Sequence, residues 1–142
     1  METTSKNAIT IETVVKVPVS KAWATWTEPE HIKKWAFASD EWHAPYADND
    51  VRVGGTFRTT MAAKDGSMSF DFGGVYEAVK TNELIAYNLE DGRKVKITFT
   101  DNGNETKIVE TFDPENENPI EMQRGGWQAI LDNYKKHTES VK

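Results

Sequence analysis

Glu110 carries the most chemical promise in this chain. It belongs to an alternating stretch, 106–112, that places it on one face with Ile108 and Phe112. If that face turns inward, its carboxyl sits among apolar groups, and loss of water raises its pKa. Such a group can serve as general acid or base in a cyclase or dehydratase, with Tyr87 or His43 as further acid–base candidates. The plainer expectation, which we put first, is that it is the cross-strand partner of a Lys or Arg such as Lys96, or an edge residue. The histidines, His31, His43 and His137, fall on different elements. His31 lies on a short helical stretch, and His137 lies near a helix end, where the dipole favours positive charge. His43 has Asp40, Glu41, Asp48 and Asp50 nearby, but the spacing matches no zinc-ligand pattern. Asp48-Asn49-Asp50 lacks the glycine turn and later Glu of a calcium loop. No metal and no cofactor are expected. Arg124 could meet an anionic head group or form a surface ion pair, which contributes under about 1 kcal/mol. There is no Ser-His-Asp order, phosphate loop or dinucleotide fingerprint. Gly54-Gly55 and Gly73-Gly74 fall within strand patterns, not ahead of helices. Asn104-Glu105-Thr106 matches a glycosylation acceptor, with no other sign of secretion.

The bulk properties narrow the classes. At 142 residues the chain suits one domain with a proper core. We read that domain as 8–138, with 1–7 a disordered polar tail. Cysteine is absent, which removes disulfides and thiolate chemistry and agrees with a reducing cytoplasm. No signal peptide and no apolar run long enough to span a membrane is visible, so a cytoplasmic location without membrane insertion is expected. A net charge of −6, with no basic tract, argues against nucleic acid as a partner. Five Trp, four Tyr and six Phe are many rings for one small domain, so some have work beyond filling a core.

The elements follow from periodicity. Residues 8–17 alternate, with Ile9, Ile11, Val15 and Val17 on one face, and read as a strand ended by Pro18. Ser20 can cap a short helix, 21–26, and Thr27 a second, 28–35. Strand patterns follow at 42–46, 51–61, 68–79, 84–90, around 95–99 and at 106–112. They are joined by turn signals such as Asp91-Gly92 and 101–104. The two glycine pairs suggest bulges or bends. Residues 118–138 read as a long helix with Asn118 as N-cap, Pro119 at its first position, and a stripe of Ile120, Gln123, Trp127, Ile130, Leu131 and Tyr134. Gly125-Gly126 inside it costs about 1 kcal/mol per glycine relative to alanine. Either another backbone comes close there, or space beside the helix is left open. Tight turns imply antiparallel pairing, and a bent sheet with one long helix is satisfied by wrapping the helix.

This order resembles the helix-grip fold of the START-like (SRPBCC) superfamily, and more narrowly the family named for the activator of the heat-shock-protein-90 ATPase. The residues that carry the likeness are VPVSKAWATWTEPEHIKKW at 17–35, DVRVGGTF at 50–57, FGGVYEAV at 72–79 and GGWQAILDNY at 125–134. The implied class is α+β: a seven-stranded curved antiparallel sheet around a long C-terminal helix, with two short helices after the first strand. The resemblance also implies a cavity between helix and sheet that takes a small hydrophobic ligand. Its lining would be Phe57, Thr59, Met61, Met68, Phe70, Phe72, Tyr87 and Glu110 from the sheet and Gln123, Gly126, Trp127 and Ile130 from the helix. Trp35 and Trp42 would flank the mouth, with Gln123, Tyr87 and Arg124 as polar anchors. The alternative is that these side chains fill the space. A ligand carrier is therefore expected first, a cyclase or dehydratase acting on an aromatic or polyketide-like substrate second, and a chaperone-linked interaction module or homodimer third. The heat-shock activator itself makes its main chaperone contact through an N-terminal domain. This chain has no room for one, so the likeness does not carry that contact over.

Overall fold

The computed structural model describes residues 8–141; the tail expected at 1–7 lies outside the described residues. Strand β1 (Ile9–Val15) is followed by two short helices, α1 (Val19–Thr27) and α2 (Pro29–Ile32). Strands β2 (Trp42–Asn49), β3 (Thr56–Ala63), β4 (Ser69–Lys80), β5 (Leu84–Leu89), β6 (Lys94–Asp101) and β7 (Thr106–Phe112) then run to the long helix α3 (Ile120–Ser140). All seven strands form one curled antiparallel sheet in the order β1-β7-β6-β5-β4-β3-β2. The two short helices thus carry the chain from one edge of the sheet to the other, and a meander brings it back. The class is the α+β, helix-grip arrangement expected.

Alternation explains the concave face. Val95, Ile97 and Phe99 of β6 are buried, as are Thr106, Ile108, Glu110 and Phe112 of β7. Across the strands they line up in rows, Ile11–Glu110–Ile97–Ile85 and Ile9–Phe112–Val95–Tyr87. Helix α3 packs on β1 and α1. It is fastened to α1 by a buried polar chain: the Tyr134 hydroxyl donates to the Ala22 carbonyl at 2.6 Å, and the Thr138 hydroxyl lies 3.0 Å from that of Thr25. The Trp35 indole N–H donates to the Thr25 carbonyl at 2.9 Å, fixing the segment after α2 to the same point. Among the described residues no helix is long and apolar enough to cross a membrane.

Several local expectations are corrected. Pro18, not Ser20, precedes α1, and Glu28, not Thr27, precedes α2; Thr27 ends α1, its hydroxyl bonded to the Trp23 carbonyl at 2.8 Å. The strand expected over 51–61 starts only at Thr56. Val51 and Val53 belong to the β2–β3 turn, where Gly54 adopts a φ of +85°. Nor does either glycine pair mark a register shift. Those fall between Tyr76 and Ala78 in β4 and between His43 and Tyr46 in β2. Gly73 and Gly74 answer to crowding instead, since a Cβ on Gly74 would lie 2.2 Å from the Asn88 carbonyl oxygen. Asn118 does not cap α3 with its side chain. The Glu115 carboxylate holds the Asn118 backbone N–H at 2.8 Å and its amide at 2.6 Å, and Pro119 occupies the cap position. Ile120 is largely exposed rather than part of the buried stripe. At Gly125 and Gly126 the open-space alternative holds: an added Cβ would meet nothing within 4 Å.

Candidate functional site

Between α3 and the β3–β5 part of the sheet lies a cavity of about 190 Å³. Strand alternation sets its floor: Phe57, Thr59 and Met61 of β3, Phe70, Phe72 and Tyr76 of β4, Tyr87 of β5 and Glu110 of β7. Helix α3 supplies the roof with Trp127, Ile130 and Leu131, one turn apart. Trp26 and Ile32 of the short helices, with Trp35 and Ala36, close one side, and Asp48 and Asn49 of β2 border another. The walls are braced ring against ring. Phe57 meets Tyr87 with centroids 4.6 Å apart and Tyr76 at 5.3 Å. Phe72 meets Trp127 edge-on at 5.8 Å, and Trp127 stacks flat on Phe112 at 3.8 Å. These contacts hold the rings in place around the space.

Of the residues expected at a site, Trp35, Phe57, Thr59, Met61, Phe70, Phe72, Tyr87, Glu110, Trp127 and Ile130 all reach this wall. Trp42, Met68, Gln123 and Gly126 do not. Trp42 packs its ring on Phe70 at 5.9 Å, and Met68, at the β3–β4 turn, is 60% exposed. Gln123 is buried, but its amide clamps the loop ahead of α3. Its oxygen accepts from the Glu115 N–H at 2.9 Å, and its nitrogen donates to the Asn118 and Glu115 carbonyls at 2.7 and 3.1 Å. Both of its amide N–H groups are spent on that loop and the side chain does not reach the cavity wall, so the anchoring role expected of it is withdrawn. Arg124 likewise pairs with Glu121 at 3.6 Å on the outside of α3.

A family model described as Activator of Hsp90 ATPase homolog 1-like protein matches residues 16–139. The chain belongs to that family. It is 38% identical to the AHSA1-like protein from Aeromonas hydrophila, known from solution NMR, over 94% of this chain and 92% of that one, with a TM-score of 0.88. It is 62% identical to Chr148 from Cytophaga hutchinsonii over 94% and 92% of the two chains, with a TM-score of 0.81. Protein NE0264 from Nitrosomonas europaea shares the fold at 20% identity, a TM-score of 0.82 and coverage of 95% and 96%. No curated protein matches.

In this AHSA1-like chain the cavity's polar groups fall into two sets. The first is already engaged. The Tyr76 hydroxyl donates to the Asn49 side-chain oxygen, and the Asn49 amide donates to the Thr27 carbonyl at 2.7 Å. Asp48 accepts the Tyr46 hydroxyl at 2.5 Å. The second set, Glu110, Tyr87 and Thr59, has no hydrogen-bond partner among the described residues. Glu110 is 6% exposed and has no hydrogen bond or ion pair among the described residues. Its neighbours across the strands are Ile11 and Ile97, while Lys96 pairs in register with Thr111, so the cross-strand cation reading fails. Burial pushes its carboxyl up to about 8 from an ordinary 4.5. The Tyr87 hydroxyl also lacks a hydrogen-bond partner among the described residues. Burial, then the charges of Glu110 and Tyr76, drive its pKa well above the usual tyrosine value. A carboxyl and a phenol, both free, thus share one apolar chamber.

The wall residues that sequence reasoning missed are Trp26, Ile32, Ala36, Asp48, Asn49, Tyr76 and Leu131. Tyr76 was within reach: it continues the Phe70–Phe72 alternation past Gly74. Asn49 and Trp26 were not, because they join the site through β2 and α1 from distant parts of the chain. The histidines also hold a surprise. His31 and His137 meet ring to ring, with Nδ1 and Nε2 2.9 Å apart across α2 and α3. No cluster of three or more potential ligands for a metal ion occurs among the described residues.

Proposed function

We propose that this chain binds a small, largely apolar molecule in the aromatic chamber beneath α3, as a carrier or sensor in the cytoplasm. The observation that carries the reading is the chamber itself, walled by braced rings and holding the Glu110 carboxyl and the Tyr87 and Thr59 hydroxyls, which have no hydrogen-bond partner among the described residues. Size supports it. An apolar cavity of about 150 Å³ already takes up benzene, and this one, at about 190 Å³, suits a guest of one aromatic ring with a short arm. Burying roughly 150 Å² of apolar guest surface contributes about 4 kcal/mol before the costs of association. The expected affinity is therefore modest unless the polar groups add to it. Titration followed by tryptophan fluorescence is the direct test, since Trp26, Trp35 and Trp127 all face the space. Single-ring aromatics should change the emission saturably and raise the melting temperature. A broad panel that does neither would count decisively against a binding chamber.

Glu110 favours a second reading, in which the guest is a substrate. Below about pH 8 its carboxyl holds a proton inside an apolar site, as a general acid requires. On this reading Glu110→Gln still binds the guest but shows no turnover, whereas on the first reading no product forms with either protein.

A further inference from the structure

We propose that the head group selected by this chamber is a protonated amine, so that the guest is a small arylalkylammonium ion and organic acids are refused. The inference rests on the chamber being a binding site and adds the charge of its occupant.

Among the described residues the ionisable groups that face the space are Glu110 from β7, Tyr87 from β5, Tyr76 from β4 and Asp48 from β2; α1, α2 and α3 contribute none, and no described Lys, Arg or His lines the wall. An anionic guest would meet two acids and no cation. The usual companion of a buried carboxylate is a Lys or Arg from the same protein. Here that companion is missing on both flanking strands, where Glu110 faces Ile11 and Ile97. Protonated, Glu110 needs no companion; once ionised it has none among the described residues, so the compensating charge is one the guest brings. Tyr76 and Asn49 are engaged with each other and with Thr27, so they do not compete for it. The Tyr87 hydroxyl is left to accept a second N–H. The walls add to the preference, because the faces of Trp, Tyr and Phe rings attract a cation and gain most where water is excluded. A neutral alcohol could bond to Glu110 or Tyr87, but it forgoes both the ion pair and the ring faces.

The proposal has a proton signature. Empty, Glu110 is held in its neutral form by burial near neutral pH. An ammonium guest reverses this by supplying the opposite charge, so the carboxyl ionises and its proton leaves to the buffer. A neutral guest leaves the proton where it is.

The experiment compares phenethylamine, phenethyl alcohol and hydrocinnamate, which share one skeleton. Each is titrated calorimetrically into the whole chain at pH 7 in phosphate and in Tris, whose ionisation heats differ. We expect the amine to bind at least tenfold more tightly than the alcohol and the acid not to bind. We expect close to one proton to be released with the amine and none with the alcohol. In Glu110→Gln the ratio of amine to alcohol affinity should fall at least tenfold, with folding checked by circular dichroism. The proton count on the unaltered protein makes the test independent of that variant. Alcohol or acid binding as tightly as the amine, or amine binding without proton release, overturns the ammonium proposal and leaves the chamber a binding site. Failure of all three probes to bind at millimolar concentration overturns both.

Discussion

Glu110 is neutral because of where the chain puts it, and that choice has a thermodynamic consequence. In the unfolded chain its carboxyl ionises near 4.5, whereas in the fold it keeps its proton up to about 8. Between those values the folded state holds one proton more than the unfolded state, so stability falls as pH rises. The slope is about 1.4 kcal/mol per pH unit; it vanishes below 4.5 and again above 8, where both states have the same charge. Glu110→Gln removes the contribution. Urea unfolding from pH 4 to 9 should therefore show the variant gaining on the native protein through the window and exceeding it above pH 8. Parallel curves would mean that the carboxyl is solvated in the fold. His137 works in the opposite direction. Burial, then His31 and Lys34, lower its pKa, so its protonation in the unfolded chain removes stability as pH falls below the usual histidine range.

Two glycine pairs that look alike in sequence do opposite things within their elements. Gly74 lies in β4 with the Asn88 carbonyl against it, so Gly74→Ala forces the strands apart and should cost about 1–3 kcal/mol. Gly125 is in the interior of α3 with nothing near it, so Gly125→Ala should stabilise by roughly 0.5–1 kcal/mol through helix propensity. Thermal melts of the two variants should move in opposite directions; a destabilised Gly125→Ala would mean that some group does come close there. Tyr134→Phe tests the α1–α3 fastening. It removes the hydroxyl that donates to Ala22, and a loss of about 1–2 kcal/mol is expected. These elements also show what was legible in the sequence. Strands β6 and β7 alternate cleanly between buried and more accessible positions because one face is buried, and the helical stripe of α3 is long enough to be unmistakable. The caps differ from expectation because Ser20 falls inside α1, and Thr27 and Asn118, though good capping types, are held by other partners. Glu115 took both donors of Asn118, a contact set by a loop whose shape no periodicity encodes.

For the molecule as a whole, the unfilled chamber is the feature that links fold to function. It forms where α3 rests on β1 and α1 and bridges the β3–β5 curl, so its existence depends on every strand between the two edges. Much of its wall could be read from alternation, but its depth and its lack of any cation could not. Both depend on which residues the curled sheet brings opposite one another over long sequence separations. A protein that keeps such a space gives up packing contacts, and filling it should return them at the expense of the guest. Thr59 is the position to fill. It is 5% exposed, lines the chamber from β3, and its hydroxyl has no hydrogen-bond partner among the described residues. Thr59→Leu exchanges that hydroxyl for a larger apolar group directed into the space. The variant should unfold at an equal or higher urea concentration, by up to about 1 kcal/mol, and lose at least tenfold in affinity for any guest of the native protein. The two readouts are coupled by design: equal stability with undiminished binding places the guest elsewhere on the molecule, and a large loss of stability means that the chamber wall has no room to spare.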